Sequence, residues 1–260
     1  MAVVIAGLLG LIVGSFLNVC IWRLPRDEQV VRGRSHCPAC GAMIRWHDNI
    51  PLVSFIRLRG RCRACRGRIS WRYPAVELLT GLALAAAIAR WGVSGPGVVY
   101  AGLFCALIVV SFIDAAEQII PDVITLPGLA LGVAASAAWP ALHGTGNRVA
   151  SVQASVVGAL VGGGSIYLMG LVGRWLFKKE AMGIGDVKLM AMLGALLGGP
   201  RALLAFLLAP IFGSLVGIPM RLRSGAELIP YGPFLSAAAV LALWWGDRWI
   251  GWYWHTVGGF

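Results

Sequence analysis

Charged residues are scarce in this sequence: only 13% of its 260 residues are Asp, Glu, Lys or Arg, whereas 58% are hydrophobic. A soluble domain of this length needs far more charge to cover its surface, so the composition excludes an ordinary soluble globular protein. The mean hydropathy is +0.79, and the hydrophobic residues gather in long runs. That combination is typical of helical proteins that cross a membrane several times.

Four further features are missing from the sequence. It has no low-complexity tract and no long-period repeat, which excludes a repeat architecture. No glycine-rich strand–helix fingerprint for a nucleotide is present. Basic residues do not precede the first apolar run, so we interpret that run as a permanent membrane span and not as a signal peptide. Gly14, Ser15 and Asn18 interrupt it and predict packing against other helices.

The apolar runs predict an all-α polytopic membrane protein with about eight transmembrane helices. The predicted segments cover residues 1–22, 74–90, 97–113, 122–142, 150–173, 187–199, 202–220 and 232–250. The sixth is shorter than the roughly 20 residues that a helix needs to cross the hydrocarbon core.

The distribution of basic residues predicts the orientation. Eighteen of the 22 Lys and Arg residues fall in 23–72, in 174–188 and at positions 221 and 223, which lie on one side of the predicted membrane. The positive-inside rule places that side in the cytoplasm and both termini outside. Topology and anionic lipid account for the net charge of +11, so membrane lipids are predicted partners and nucleic acid is not.

Four cysteines in the polar loop 23–73 form two C-x-x-C pairs, Cys37 with Cys40 and Cys62 with Cys65, separated by 21 residues. Two such pairs at this separation are typical of a closed structural zinc site, with Gly41 and Gly67 placed for the tight turns. A thiol–disulfide pair is the alternative, but the predicted cytoplasmic location disfavours disulfides. Four protein ligands leave no open position, so the zinc is predicted to fold the loop and not to catalyse.

Two aspartates at the ends of hydrophobic stretches, Asp114 and Asp186, suggest an intramembrane site. A carboxylate at membrane depth is costly and usually marks a proton, an ion or a reaction. Two carboxylates that converge from different helices can share one proton and hydrolyse a peptide bond as an aspartyl dyad. A proton-coupled transporter is the alternative, and it leaves the cysteine loop without a role. A non-enzymatic assembly factor is a second alternative, in which neither aspartate would be needed.

Five other residues have a predicted role or position. Gly183 and Gly185 would let an extended substrate backbone approach Asp186, or let the chain bend. Asp122 follows a proline at a helix start, where a helix cap is as plausible as chemistry. Glu117 lies in the turn after Asp114. Glu77 is expected to pair with a loop arginine.

Taken together, these motifs resemble the type IV prepilin peptidases, also called prepilin leader peptidase/N-methyltransferases. The resemblance covers nearly the whole chain, and its motifs keep their order. Besides the two C-x-x-C pairs, it is carried by Gly14–Val19, Arg23–Pro25, Asn49–Ser54, Arg72–Glu77, Ile113–Asp114, Ile120–Asp122, Gly183–Leu189 and Ile229–Phe234.

The resemblance implies that Asp114 and Asp186 are the catalytic pair. The reaction would remove a short basic leader, after a glycine and on the cytoplasmic side of the bacterial inner membrane. The substrates would be type IV prepilins and the pseudopilins of type II secretion. Because the loop 23–73 is itself basic and would repel a basic leader, we expect local acids such as Glu117, Asp122 or Asp48 to recognise it. Bifunctional members then methylate the new N-terminal amine with S-adenosylmethionine, and a protease-only member is the remaining alternative.

The resemblance also implies a functional division of the chain. Residues 1–22 would be the first span, 23–73 the zinc loop and candidate methyltransferase region, and 74–260 the aspartyl protease domain. Asp48 and Asn49 are the candidate methyltransferase residues. Asp48 stands where the family more often has Glu, which keeps the charge and shortens the reach.

Overall fold

The computed structural model describes residues 1–31, 33, 35–178, 182–224 and 229–256. Within these ranges the protein is helical and contains no β-strand. The helices are α1 Ala2–Arg23, α2 Val53–Arg57, α3 Arg72–Trp91, α4 Gly95–Glu117, α5 Asp122–Ala138, α6 Arg148–Phe177, α7 Ile184–Leu197, α8 Gly199–Ser224 and α9 Gly232–Thr256. Each of the eight predicted segments coincides with a helix, and α2 is an additional short helix within the polar loop.

Within the described residues, five helices are long and apolar enough to cross a membrane, namely α1, α3, α4, α6 and α8. Helix α5 is apolar but has only 17 residues. Helix α7 has 14 residues, fewer than the roughly 20 that a full crossing needs. The membrane-helix fold class is therefore confirmed, whereas the count of eight spans is not.

Two helix ends differ from their predicted positions. Helix α4 continues to Glu117, so the prediction that Asp114 ends its segment was wrong and Asp114 lies in the last turn. The helix closes when Gln118, at φ 56°, donates its N–H to the Asp114 carbonyl at 2.9 Å. Helix α5 ends at Ala138 because Pro140 lacks an N–H and opens a 3₁₀ turn over Pro140–His143.

The chain divides into two compact units, Met1–Ile113 and Asp114–Phe260. In the first, α1 packs closely against α3. A Cβ added at Gly14 would lie 2.7 Å from the Glu77 Cα, so only a glycine permits this approach. Asn18 is buried and donates its side-chain N–H to the Tyr73 carbonyl at 3.1 Å. The predicted packing role of Gly14 and Asn18 is thus confirmed.

In the second unit, α7 is the buried central helix and α6 packs along it. Leu189 to Leu197 are all buried except Ala191. A Cβ added at Gly158 of α6 would collide with the Gly194 carbonyl, and one at Gly162 with the Met190 carbonyl. The two backbones are therefore in contact, as in small-xxx-small packing between membrane helices.

This contact makes a prediction about stability. Gly158→Ala is expected to lower the free energy of unfolding by about 1–3 kcal/mol, because the added methyl group must push α6 away from α7. Gly164→Ala is the matched control on the same helix, since a Cβ there meets nothing within 4 Å. Thermal unfolding in detergent measures both variants, and equal melting temperatures would contradict the packing described here.

Candidate active site and metal centre

Asp114 is buried in the last turn of α4, with 6% of its surface exposed. One oxygen of its carboxylate accepts the backbone N–H of Gly232 at 2.7 Å. A Cβ at residue 232 would lie 2.8 Å from that oxygen, so the approach requires a glycine. Gly232 begins α9, which places a backbone donor on a carboxylate 118 residues away in the sequence.

Asp186 lies in the first turn of α7, where its carboxylate accepts the backbone N–H of Gly183 at 3.2 Å. Asp186 is the third residue of the helix, and its side chain closes the first turn onto the N-cap residue Gly183. A Cβ added at Gly183 would lie 3.1 Å from a carboxylate oxygen of Asp186. One added at Gly185 would lie 3.0 Å from the Ile120 Cβ. Both glycines thus permit close packing around Asp186.

The structure brings the two aspartates into electrostatic contact. Burial, together with the negative charge of Asp114, raises the pKa of Asp186 to about 6, although the hydrogen bond from Gly183 acts in the opposite direction. The Gly232 N–H stabilises a negative charge on Asp114. Both carboxylates are shielded from water, each accepts one backbone N–H, and each opposes the ionisation of the other, so the pair is arranged to share one proton, as an aspartyl dyad requires.

The raised pKa of Asp186 predicts how stability depends on pH. The folded protein binds the Asp186 proton more tightly than an unfolded chain with the ordinary value of 3.8. The stability that this proton contributes is present below pH 4 and is lost as the pH rises through about 6.

Asp186→Asn removes the charge and keeps the shape, so the variant should be more stable than wild type at pH 8, by at most about 3 kcal/mol. At pH 4 the two proteins should unfold at the same temperature. Thermal unfolding at both pH values tests this, and a variant less stable at pH 8 would contradict it.

Asp122 and Glu117 lie at the helix ends near the aspartates. Both oxygens of Asp122 accept hydrogen bonds from the Lys188 ammonium, at 2.8 and 2.7 Å. Asp122 is the first residue of α5 and Pro121 is its N-cap, so Asp122 does not cap the helix. Glu117 is exposed at the end of α4.

Two residues near the dyad were not selected as site residues from the sequence, although they belong to the recognised motif Ile229–Phe234. Gly232 donates to Asp114, and the preceding residue, Tyr231, has a buried hydroxyl. Burial and, to a smaller extent, the Asp186 charge raise the pKa of Tyr231 to about 12. The motif indicated that these residues matter. Their contacts with Asp114 and Asp186 could not be predicted, because those aspartates are remote in sequence.

The four predicted cysteine ligands converge. The Sγ atoms of Cys37, Cys40, Cys62 and Cys65 all lie within 4.8 Å of one another. The sulfurs of Cys37 and Cys65 are 3.9 Å apart. Four thiolates placed tetrahedrally at about 2.3 Å from a zinc ion would be about 3.8 Å apart. These residues could hold one metal ion, and all six cysteines of the chain are free thiols.

The two cysteine pairs have similar backbone conformations. Cys37 donates its N–H to the Ala42 carbonyl at 2.9 Å, and Cys62 donates to the Gly67 carbonyl at 2.8 Å. The left-handed residue after each pair is Gly41 at φ 70° and Arg66 at φ 60°. The prediction that Gly67 makes the second turn was wrong, because Arg66 is the residue with the left-handed conformation there.

The candidate methyltransferase residues lie in the 3₁₀ turn Trp46–Asp48 and directly after it. Both oxygens of Asp48 accept hydrogen bonds from Arg63, at 2.7 and 2.5 Å. The Arg63 hydrogen bond holds the pKa of Asp48 below its usual value. The ion pair connects this turn to the second cysteine pair. Asn49, next in the chain, is exposed.

A strained turn follows these residues. Leu52 has φ 59° and ψ −46°, and Val53 donates its N–H to the Pro51 carbonyl at 2.6 Å, which makes a γ-turn of the rare left-handed kind. The buried Glu77 carboxylate accepts the Leu52 N–H at 2.8 Å. Glu77 thus binds the loop backbone, and not a loop arginine as expected. Strain of this kind concentrates at functional sites.

Comparison with known proteins gives two family matches. The model of the bacterial peptidase A24 N-terminal domain matches residues 8–91, and that of the type IV leader peptidase family matches residues 101–218. No solved structure matches the chain significantly.

Three of the curated relatives share one name. A prepilin leader peptidase/N-methyltransferase of Pseudomonas putida is 38% identical over 95% of this chain and 91% of its own length. One of Pseudomonas aeruginosa is 38% identical over 93% of this chain and 89% of its own length. One of Myxococcus xanthus is 45% identical over 84% of this chain, but the match spans only 62% of that protein.

Proposed function

This chain belongs to the type IV leader peptidase family, and from that premise we propose that it is a membrane aspartyl endopeptidase. It removes the basic leader from type IV prepilins and type II secretion pseudopilins after a glycine. It then methylates the new N-terminal residue. The observation that carries the proteolytic part is the pairing of Asp114 and Asp186, two carboxylates that are shielded from water, each accept a backbone N–H and oppose each other's ionisation.

In this proposal Asp114 is the base and Asp186 is the acid. The Asp114 carboxylate takes a proton from a water molecule, whose oxygen attacks the scissile carbonyl carbon. Asp186 donates its proton to the carbonyl oxygen, which forms a tetrahedral diol. The proton on Asp114 then passes to the leaving amine as the C–N bond breaks, and one hydroxyl of the diol returns a proton to Asp186, which leaves a carboxylic acid product and both aspartates in their starting states.

Glu117 and Asp122 are proposed to attract the basic leader. Glu117 is exposed three residues after Asp114. Asp122 would exchange its Lys188 partner for a leader cation, which costs little at an exposed ion pair. Gly183 and Gly185 are proposed to leave the substrate backbone a close path to Asp186.

The metal is proposed to be zinc in a structural role, since the four thiolates fit a closed tetrahedral site. The loop 23–73 and the active site are proposed to face the cytoplasm from the bacterial inner membrane, because that side has most of the basic residues. Membrane lipids are the other proposed partners.

S-adenosylmethionine would supply the methyl group. The Asp48 carboxylate does not fit as a ligand for it in the observed arrangement, because Arg63 engages both of its oxygens. The strained Leu52 turn nevertheless supports a functional role for the segment that contains Asp48 and Asn49. We therefore keep both residues as methyltransferase candidates and assign no step to them.

A pair of variants decides what Asp48 does. If Asp48 acts only through its ion pair, Asp48→Asn and Arg63→Gln should lower methylation equally and leave cleavage unchanged. If Asp48 binds the methyl donor or the amine, Asp48→Asn alone should abolish methylation. The measurement is the methylated fraction of cleaved product by mass spectrometry, and a variant pair with no effect would remove Asp48 from the proposal.

The function itself is tested by incubating membranes that contain the protein with a prepilin, with and without S-adenosylmethionine. Cleavage after the glycine and a gain in mass of one methyl group are the expected results. Cleavage with no methyl gain would indicate a protease-only member. No cleavage, with proton flux in liposomes, would favour the transporter, which the comparisons do not favour.

A further inference from the structure

The hydroxyl of Tyr231 is an unsatisfied polar group beside the dyad. Its oxygen exposes less than 1 Å² and has no hydrogen-bond partner among the residues that the structure describes. A buried hydroxyl without a partner loses its hydration with no compensation, so it requires an explanation.

The position of Tyr231 suggests one. Its neighbour Gly232 donates an N–H to Asp114, and the charge of Asp186 contributes to the raised pKa of Tyr231. The segment Tyr231–Gly232 therefore contacts one aspartate through its backbone and lies near the other with its side chain. The raised pKa keeps the hydroxyl protonated, and hence a donor, at any pH at which the dyad can work.

We propose that Tyr231 is a catalytic residue that donates a hydrogen bond to the oxygen of the scissile carbonyl. The proton stays on the tyrosine, and the bond strengthens as negative charge develops on the carbonyl oxygen, which Asp186 then protonates. This inference rests on the proposed peptidase function. It explains why a hydroxyl without a protein partner is retained at this position.

Tyr231→Phe tests the inference because it removes only the oxygen atom. We expect kcat for prepilin cleavage to fall by about 10²-fold, with KM nearly unchanged, as for the loss of one donor to an oxyanion. The melting temperature should stay the same or rise, because an unsatisfied buried hydroxyl is removed. Tyr167→Phe, at an exposed position on α6, is the matched control.

The outcomes are distinguishable. If wild type cleaves and Tyr231→Phe cleaves equally fast, the role of Tyr231 is wrong and the peptidase function stands. A lower melting temperature with unchanged kcat would give the hydroxyl a structural role instead. If wild type itself does not cleave, the proposed function fails first.

A second, independent feature is a cleft of about 620 Å³ beside the second cysteine pair. Six residues line it, namely Leu58 and the five arginines Arg57, Arg59, Arg61, Arg63 and Arg66. Among the described residues only Arg63 has a carboxylate partner, Asp48. Five guanidinium groups beside one directly paired carboxylate give the cleft an excess of positive charge, which favours an anionic ligand.

The cleft lies near the level at which a helix enters the membrane. Trp71 immediately precedes α3, one of the helices able to cross a membrane. Phe55 of α2 packs on Trp71, with ring centroids 4.8 Å apart. The side chains of Trp71 and Ile56 are 77% and 75% exposed. An exposed tryptophan and isoleucine beside arginines are typical of a surface in contact with lipid headgroups.

We infer that this arginine cleft binds the phosphate of an anionic phospholipid headgroup. The lipid would neutralise the cleft and hold the loop against the membrane.

The test titrates delipidated full-length protein in detergent with phosphatidylglycerol and counts bound lipid by native mass spectrometry. An arginine near an anionic surface contributes about fivefold, so Arg57→Gln with Arg61→Gln should weaken binding about thirtyfold. Arg45→Gln with Arg68→Gln removes the same charge from the same loop outside the cleft, and should change the affinity little. Equal metal content confirms that both cysteine pairs stay folded.

Equal weakening by the two double variants would mean diffuse attraction and would overturn the site. Phosphatidylcholine bound as tightly as phosphatidylglycerol would overturn the anionic preference. Inorganic phosphate that displaces the lipid at similar concentrations would make the occupant a soluble phosphate compound, and the lipid assignment would be wrong.

Discussion

Prepilin cleavage should fall by about 10²- to 10⁴-fold when either Asp114 or Asp186 is replaced by Asn, the range for loss of a general acid or base. Asn retains the size of Asp, and its oxygen can still accept the backbone N–H of Gly232 or Gly183. It cannot exchange a proton with water or substrate. The two variants should therefore fold normally but cleave prepilin very slowly. The double variant should be no slower than the worse single one, because the pair acts as a unit.

Asp247→Asn is the matched control for this experiment. Asp247 lies on α9 in an exposed ion pair with Arg201, so the substitution makes the same chemical change away from the dyad. Cleavage by membranes containing each variant is followed by product mass, and thermal unfolding verifies folding. Normal cleavage by one of the two aspartate variants would remove that residue from the dyad and reopen the transporter and assembly-factor interpretations.

Cys62→Ser is expected to have the second large effect, on metal content and on methylation. A structural zinc site contributes about 10–16 kcal/mol of binding free energy, and much of it is lost with one thiolate. The loop has little apolar core of its own, so the turn with Asp48 and Asn49 should lose its position. We expect metal content to fall from one ion per chain towards zero and methylation to be lost. Cleavage should fall less, because Asp114 and Asp186 lie in the other compact unit.

Cys105→Ser is the control for the thiol. Cys105 lies in α4 outside the four-cysteine cluster, so its substitution should leave the metal in place. Metal is measured by elemental mass spectrometry on purified protein. Full metal content in Cys62→Ser would contradict the four-thiolate site. Equal loss of cleavage and methylation would show that the loop supports the whole enzyme.

The membrane class, the helical segments and the cysteine cluster could be predicted because each depends on local sequence. An apolar run of about 20 residues must form a helix in lipid, where its backbone has no other partners. Each C-x-x-C pair positions its two thiols locally, because it lies in a short turn that is closed by its own backbone hydrogen bonds. For the same reason Asp114 and Asp186 stood out as charges beside apolar helices, each unusual without any knowledge of its neighbours.

The remaining features depend on contacts between residues distant in sequence, and only the tertiary structure decided them. Asp114 accepts its backbone N–H from Gly232, and Glu77 accepts one from Leu52. Arg63 donates hydrogen bonds to both oxygens of Asp48. Hydropathy cannot predict which polar groups meet when helices pack. The sequence by itself determined the membrane helices and their reactive residues. Packing decided the electrostatic environment of each residue, because burial and partners set the charge that a carboxylate can hold.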